Sequence, residues 1–430
     1  MSLSSLVTPL PITYKRAVQY QSLDPTETEA DLARAESERS AYNSLRYIKI
    51  FHPGYPDASV APLFAFPPLD HGGVDYDLAI HACYLLVDNA WPRDGESYEE
   101  TPYLSYSDNP KEQSPEHVIK PSAIVITRNC YLHVPKHVGP EPYPITPTFF
   151  DWRFPHDLNA VTRPADQGPT VDLPAAWREA TIPNDPNHMS GLGRLGATLS
   201  RDLRCRVTNW STGIEAAYLC PKEAIPWFNR NCMDRYTYDS GVMPQVHDIS
   251  NQLLLRADVH IMLDRKDIVM IPKKVDGRYV FVIKVIKAFS DSLFDAYRTF
   301  HNRICQDLVG VRIEYLFARF AWNILNPDII HIFSSRNLSL RVRIFRPGSL
   351  STQGYFVEEN LASQYRARSQ SASGESDDDD DVCFLEGEGT VEDSWSSSDE
   401  DQQYEERVRS LETYIRQKRG LQERGRKRTR

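Results

Sequence analysis

Between Arg204 and Asp264 the chain gathers a dense set of side chains able to do chemistry: Glu215, Tyr218, Cys220, Cys232, His247, Asn251, His260 and Asp264. An imidazole titrates near neutrality, so a histidine here can take a proton or ligate a metal. Taken singly, these residues also have plainer roles. Asn251 stands just before an apolar-periodic run and is placed to cap a helix. His260 has apolar neighbours on that run, as many packed or surface histidines do. Cys205, Cys220 and Cys232 with His247 make a zinc set by residue type. Their spacing lacks the close cysteine pair of a zinc knuckle, which argues against it.

The elements that must position these groups read as a hairpin, a loop and a helix. Arg204 to Val207 has the alternation of a short strand, Trp210 to Gly213 carries turn residues, and Glu215 to Pro221 reads as a returning strand. A loop rich in Asn, Asp and aromatic residues follows. From Asn251 onward, Leu254, Leu255, Val259 and Met262 recur at roughly helical spacing.

That order resembles the HNH nuclease fold, a ββα unit that grips one divalent metal against a scissile phosphate. The words RCRVTN, EAAYLCP, NQLLLRADVH and the pair Leu263-Asp264 resemble, more narrowly, the HNH domain of many uncharacterised fungal proteins. In that family the second strand typically reads AAHIVP or AAHIIP, and its histidine is the first letter of the motif. Tyr218 stands at that position, while Asn251 and His260 supply the other two letters.

The resemblance implies metal-dependent hydrolysis of DNA, with Mg²⁺ or Mn²⁺ stabilising charge in the transition state. It implies a general base at position 218, with Asn251 and His260 holding the metal or orienting the second strand. Glu215 and Asp264 are the nearby carboxylates. A phenol begins near pKa about 10 and is a poor base at neutral pH. Losing a positioned base costs roughly 10²–10⁴ in rate. The expectation is therefore a nuclease-like protein with a weakened or inactive site. The alternative is a non-catalytic nuclear scaffold that uses the HNH shell and the tail to bind partners. His247 is the other imidazole that could serve as base, although it lies in the loop rather than on the hairpin.

The rest of the chain gives an α+β expectation. Residues 1–44 are polar, with Glu27 to Tyr42 either helical or unstructured. Residues 45–135 alternate short apolar runs with Gly, Pro and Asp clusters, as in a β-rich N-terminal domain. His71-Gly72-Gly73 reads there as a turn. Residues 136–197 form a Pro-rich connector with one short helix over Leu173 to Glu179; its PITP and DWRFPH words resemble the family's linker. Residues 198–346 hold the HNH-like unit, strands over Asp267 to Pro272 and Arg278 to Val285, and helices over Phe289 to Phe300 and Glu314 to Leu325. In the second helix Phe317, Phe320, Ala321 and Leu325 mark a core-facing stripe. LSLRVRIF alternates as a further strand.

Residues 364–430 read as a disordered tail, acidic and then basic. The net charge of −10 is concentrated there: from Ser369 to Asp401 acids recur and Lys and Arg are absent. The body is not strongly basic, which counts mildly against tight non-specific DNA binding. Val382, Cys383, Phe384 and Leu385, flanked by acids, resemble a SUMO-interacting motif, in which a short apolar run adds to a sheet edge. Ser396, Ser397 and Ser398 each precede an acid by three positions, which suits an acidophilic kinase. Tyr404, Val408, Leu411 and Ile415 fall on one helical face. The polybasic end suits nuclear import. Scattered, odd-numbered cysteines suit a reducing compartment, and neither a secretory signal nor a membrane span is legible, so the expected location is intracellular.

Overall fold

Apolar runs punctuated by Gly and Pro fold, in this computed structural model, into small sheets and short helices around buried aromatic side chains. It describes residues 37, 40, 47–55, 61–93, 100–109, 117–121, 124–126, 129–135, 137, 142–156, 171–183, 194–238, 244–287, 291–335, 340–345 and 355–359. The chain divides into two units, Met1–Ser373 and Gly374–Arg430, and every described residue belongs to the first. The SUMO-type run at Val382 to Leu385, the serines at 396–398, the helical face at 404–415 and the polybasic end lie outside the described residues, as does nearly all of Glu27 to Tyr42.

A four-stranded mixed sheet opens the fold. β1 (Ile48–Phe51) pairs antiparallel with β2 (Phe64–Phe66) and parallel with β6 (Asn129–His133), and β6 pairs antiparallel with β4 (Tyr103–Ser105). β3 (Val74–Asp75) pairs with β5 (Ile124–Val125). The region is not purely β. α1 (Tyr76–Leu86) is buried along nearly its whole length and is capped by the Asp75 carboxylate, which accepts from the Asp77 and Leu78 amides at 3.0 and 3.3 Å. His71 and Gly72 both have positive φ, as the turn reading requires.

The connector words belong to the interior. Trp152 and Phe154 are buried, and Trp152 stacks on Trp227 at 5.4 Å with 4° between the ring planes. Trp177 of α2 (Ala175–Glu179) packs edge-on against Phe317. Fully burying side chains of this size contributes roughly 1.5–3 kcal/mol each. The buried apolar cluster runs from Ile48 to Val342.

The central hairpin differs from the sequence reading. Arg204 to Val207 is a turn rather than a strand: the Cys205 sulfur accepts from the Val207 and Thr208 amides, and the Cys205 amide donates to the Trp210 carbonyl. The strands that pair are β7 (Ile214–Tyr218) and β8 (Gln252–Arg256), antiparallel, with Tyr218 opposite Gln252 and Glu215 opposite Leu255. The run read as one helix from Asn251 is thus a strand followed by α5 (Ala257–Asp264). Leu253, Leu254 and Leu255 are all buried. A strand covered on both faces has no alternation, and a short apolar run is then ambiguous between helix and strand. Between β7 and β8 lie α4 (Ile225–Arg230) and short 3-10 turns.

Two elements brace this unit. α3 (Arg194–Asp202) precedes it; the Asp202 carboxylate accepts from the Leu254 amide, and Arg201 donates to the Gln252 carbonyl. After it, β9 (Ile268–Val275) and β10 (Arg278–Val285) lie where strands were expected and pair as a hairpin, turning at Asp276-Gly277 with φ of 49° and 82°. α6 (Asp291–Phe300) and α7 (Ile313–Ile324) follow where the sequence places them. β11 (Arg341–Phe345) takes up the LSLRVRIF strand and pairs with β12 (Tyr355–Glu359).

A charged cluster joins the hairpin to the turn before α1. Lys284 contacts Asp70 at 2.7 Å and Asp75 at 3.2 Å, and Lys273 lies 2.8 Å from both Asp75 and Asp77. His301 and Asn302 complete it on Asp70 at 3.0 and 2.9 Å. Both lysines are buried. Breaking one partner of such a set costs about 3–5 kcal/mol. No helix among the described residues is long and apolar enough to cross a membrane.

Candidate active site

Asn251 ends the turn that delivers the chain into β8. Its side-chain oxygen accepts from the Cys220 amide at 2.7 Å, and its nitrogen donates to the carbonyls of Cys220 (3.0 Å) and Val246 (2.7 Å). It is fully buried. One amide thereby ties the segment just after β7 to the segment just before β8, and the whole group is spent on main chain.

Tyr218 closes β7. Its hydroxyl lies 2.9 Å from Nδ1 of His247, and the Lys222 ammonium sits 5.3 Å from the centre of its ring. The loop bearing His247 is fixed on both sides. Asn251 holds the Val246 carbonyl, and Gln252, opposite Tyr218 in the ladder, donates to the His247 carbonyl at 2.8 Å. Gln252 is itself held by the Thr198 hydroxyl at 2.9 Å.

His260 lies one helical turn before the end of α5, and both of its ring nitrogens face carboxylates. Nδ1 lies 2.8 Å from Glu215 and Nε2 lies 3.2 Å from Asp264. With two acceptors, the ring is best served by two protons. Its pKa is raised, first by the hydrogen bond to Asp264; the bond to Glu215 adds to this, against partial burial. Burial pushes the Asp264 carboxyl up, but His260 and the Arg319 guanidinium outweigh that and hold it below the usual value.

Arg319 of α7 ties the two halves together. It donates to the Tyr218 carbonyl at 3.3 Å and to Asp264 at 2.8 Å, so one guanidinium spans from the end of β7 to the end of α5. It is buried, and its Nε has no hydrogen-bond partner among the described residues.

Residues 205–270 match a family model described as HNH endonuclease. Within that span the chain is similar to HNH endonucleases. The match takes in β7, β8 and α5, and it ends inside β9. No curated protein and no solved structure matches the chain.

The structure gathers Tyr218, Asn251 and His260, the residues singled out by the resemblance, around one β-ribbon and its helix, with Glu215 and Asp264 on His260. It does not arrange them as the ligands of a divalent ion. Glu215 and Asp264 occupy different nitrogens of one ring and so do not converge, and the Asn251 amide is engaged elsewhere. Among the described residues no three His, Cys, Asp or Glu side chains are grouped to hold a metal, which also disfavours the Cys205, Cys220, Cys232 and His247 set. One residue, Arg319, escaped the sequence reading, although it carried a signal as the one charge inside the otherwise apolar run LFARFAW. His247 was read as an alternative base lying in the loop, and the fold places that loop against Tyr218 at the end of β7.

Proposed function

We propose that this chain is a DNA-binding protein of HNH type in which hydrolysis by the family's route is lost or strongly weakened. The observation that carries the reading is the double engagement of His260. With Glu215 on one ring nitrogen and Asp264 on the other, a metal must displace a carboxylate to reach either nitrogen. Tyr218 at the general-base position acts in the same direction. Asn251 is, on this reading, a strut that sets the two strands rather than a ligand.

Nuclear import through the polybasic end, and a protein partner such as SUMO at Val382 to Leu385, belong to the same proposal and rest on sequence alone.

Gel shift and plasmid nicking by the full chain in Mg²⁺ or Mn²⁺ test it. The expected outcome is retarded plasmid without metal-dependent nicks. Nicking that needs the metal and disappears in His260→Ala would overturn the loss of hydrolysis. A failure to retard DNA would overturn the partner.

A further inference from the structure

We propose that Tyr218 is itself a nucleophile toward a DNA phosphodiester, with His247 as its base, so that the strand is transferred to the protein instead of to water. This rests on reading residues 205–270 as a DNA-acting unit, and it goes beyond that reading by assigning a reaction to the residue that replaces the base.

The geometry carries it. A phenol is a poor base toward water at neutral pH, but a hydroxyl held to a neutral imidazole is the arrangement of an activated nucleophile. The Tyr218 hydroxyl is 2.9 Å from Nδ1 of His247, within the range at which a base takes a proton. With the phenol as donor, His247 is the tautomer protonated on Nε2. The pairing is built into the fold: Asn251 and Gln252 fix the carbonyls of Val246 and His247, and the ladder sets Gln252 opposite Tyr218. Tyr218 is partly exposed and Lys222 is exposed. The Lys222 ammonium, 5.3 Å from the centre of the Tyr218 ring, offers charge to a phosphate. Arg319 acts behind the site as a positioning residue, through the Tyr218 carbonyl.

The step balances without a further reactant. The phenolic oxygen forms a bond to phosphorus, and the bond from phosphorus to one deoxyribose oxygen breaks. The phenolic proton passes to His247 and returns through solvent to the displaced hydroxyl. The product is a phosphotyrosyl diester, so the phosphodiester count is unchanged and the transfer can reverse.

The test uses the full chain with oligonucleotides labelled at either end, in EDTA, quenched in denaturing detergent. The expected result is label migrating with the protein, and a peptide containing Tyr218 carrying the mass of nucleotides. Tyr218→Phe removes the adduct, and His247→Gln slows adduct formation by about 10²-fold or more. DNA retarded with no adduct overturns the nucleophile and leaves the DNA-binding reading intact. An adduct that persists in Tyr218→Phe, or nicks with free ends and no adduct, overturns it equally. No retardation by any form overturns both.

Discussion

His260 and His301 each meet an aspartate, and they hold their protons in opposite ways. His260, at the surface of α5, faces carboxylates through both nitrogens, and its pKa is raised. His301, beside the buried lysines, accepts the Val285 amide on Nδ1 at 3.1 Å and keeps only Nε2–H for Asp70. Burial lowers its pKa, although Asp70 pulls the other way. An aspartate neighbour therefore does not decide the charge of a histidine. What decides is whether the second nitrogen meets an acceptor or a donor, and how much water remains. The surface arrangement keeps an ionic group adjustable, whereas the interior one fixes a neutral ring as part of the frame.

The largest effect expected from this contrast is at Asp70. Asp70→Ala leaves Lys284, His301 and Asn302 without their shared partner and should cost about 3–5 kcal/mol in a denaturant titration. A loss under about 1 kcal/mol would mean that the interior cluster does not hold the hairpin to the turn. Asn251→Ala should come next, at about 1–3 kcal/mol; an unchanged midpoint would remove its role as a strut.

The smaller effects concern protons. Because His301 has a folded pKa below the unfolded value near 6.5, its neutral form contributes stability above pH about 6.5 that is lost as the pH falls toward the folded pKa. His260 has the opposite sign. Its contribution is complete below pH about 6.5 and fades as the pH rises through its elevated folded pKa. His260→Gln should thus remove the part of the stability decline just above pH about 6.5. Last, Asp264→Asn should lower the His260 pKa, read by proton NMR titration of the ring. An unmoved His260 titration would show that Glu215 alone sets it.

Much of the frame was legible because its signals are local. The β9 and β10 runs have strand composition and an Asp-Gly turn between them, and α7 shows its apolar stripe. The central hairpin was half legible. Glu215 to Tyr218 reads as a strand, but its partner, Gln252 to Arg256, is buried on both faces and carries no period. Arg204 to Val207 imitated the missing strand because buried and exposed side chains alternate there, while the Cys205 sulfur folds it into a turn. At the site, residue types located His260 and Asn251, yet nothing in one dimension distinguishes an Asn that ligates from one whose amide is consumed by main chain. The contacts of Arg319 with Tyr218 and Asp264, and of His247 with Tyr218, are tertiary and had no sequence counterpart.

The Trp152–Trp227 stack has a spectroscopic consequence. Two nearly parallel indoles 5.4 Å apart are close enough for their electronic transitions to couple. One comes from the proline-rich segment and the other from the excursion between β7 and β8, so the optical coupling exists only while the two segments are docked. A circular-dichroism couplet that vanishes in Trp152→Phe would be a label-free signal for that docking, readable during DNA binding without touching a residue of the site.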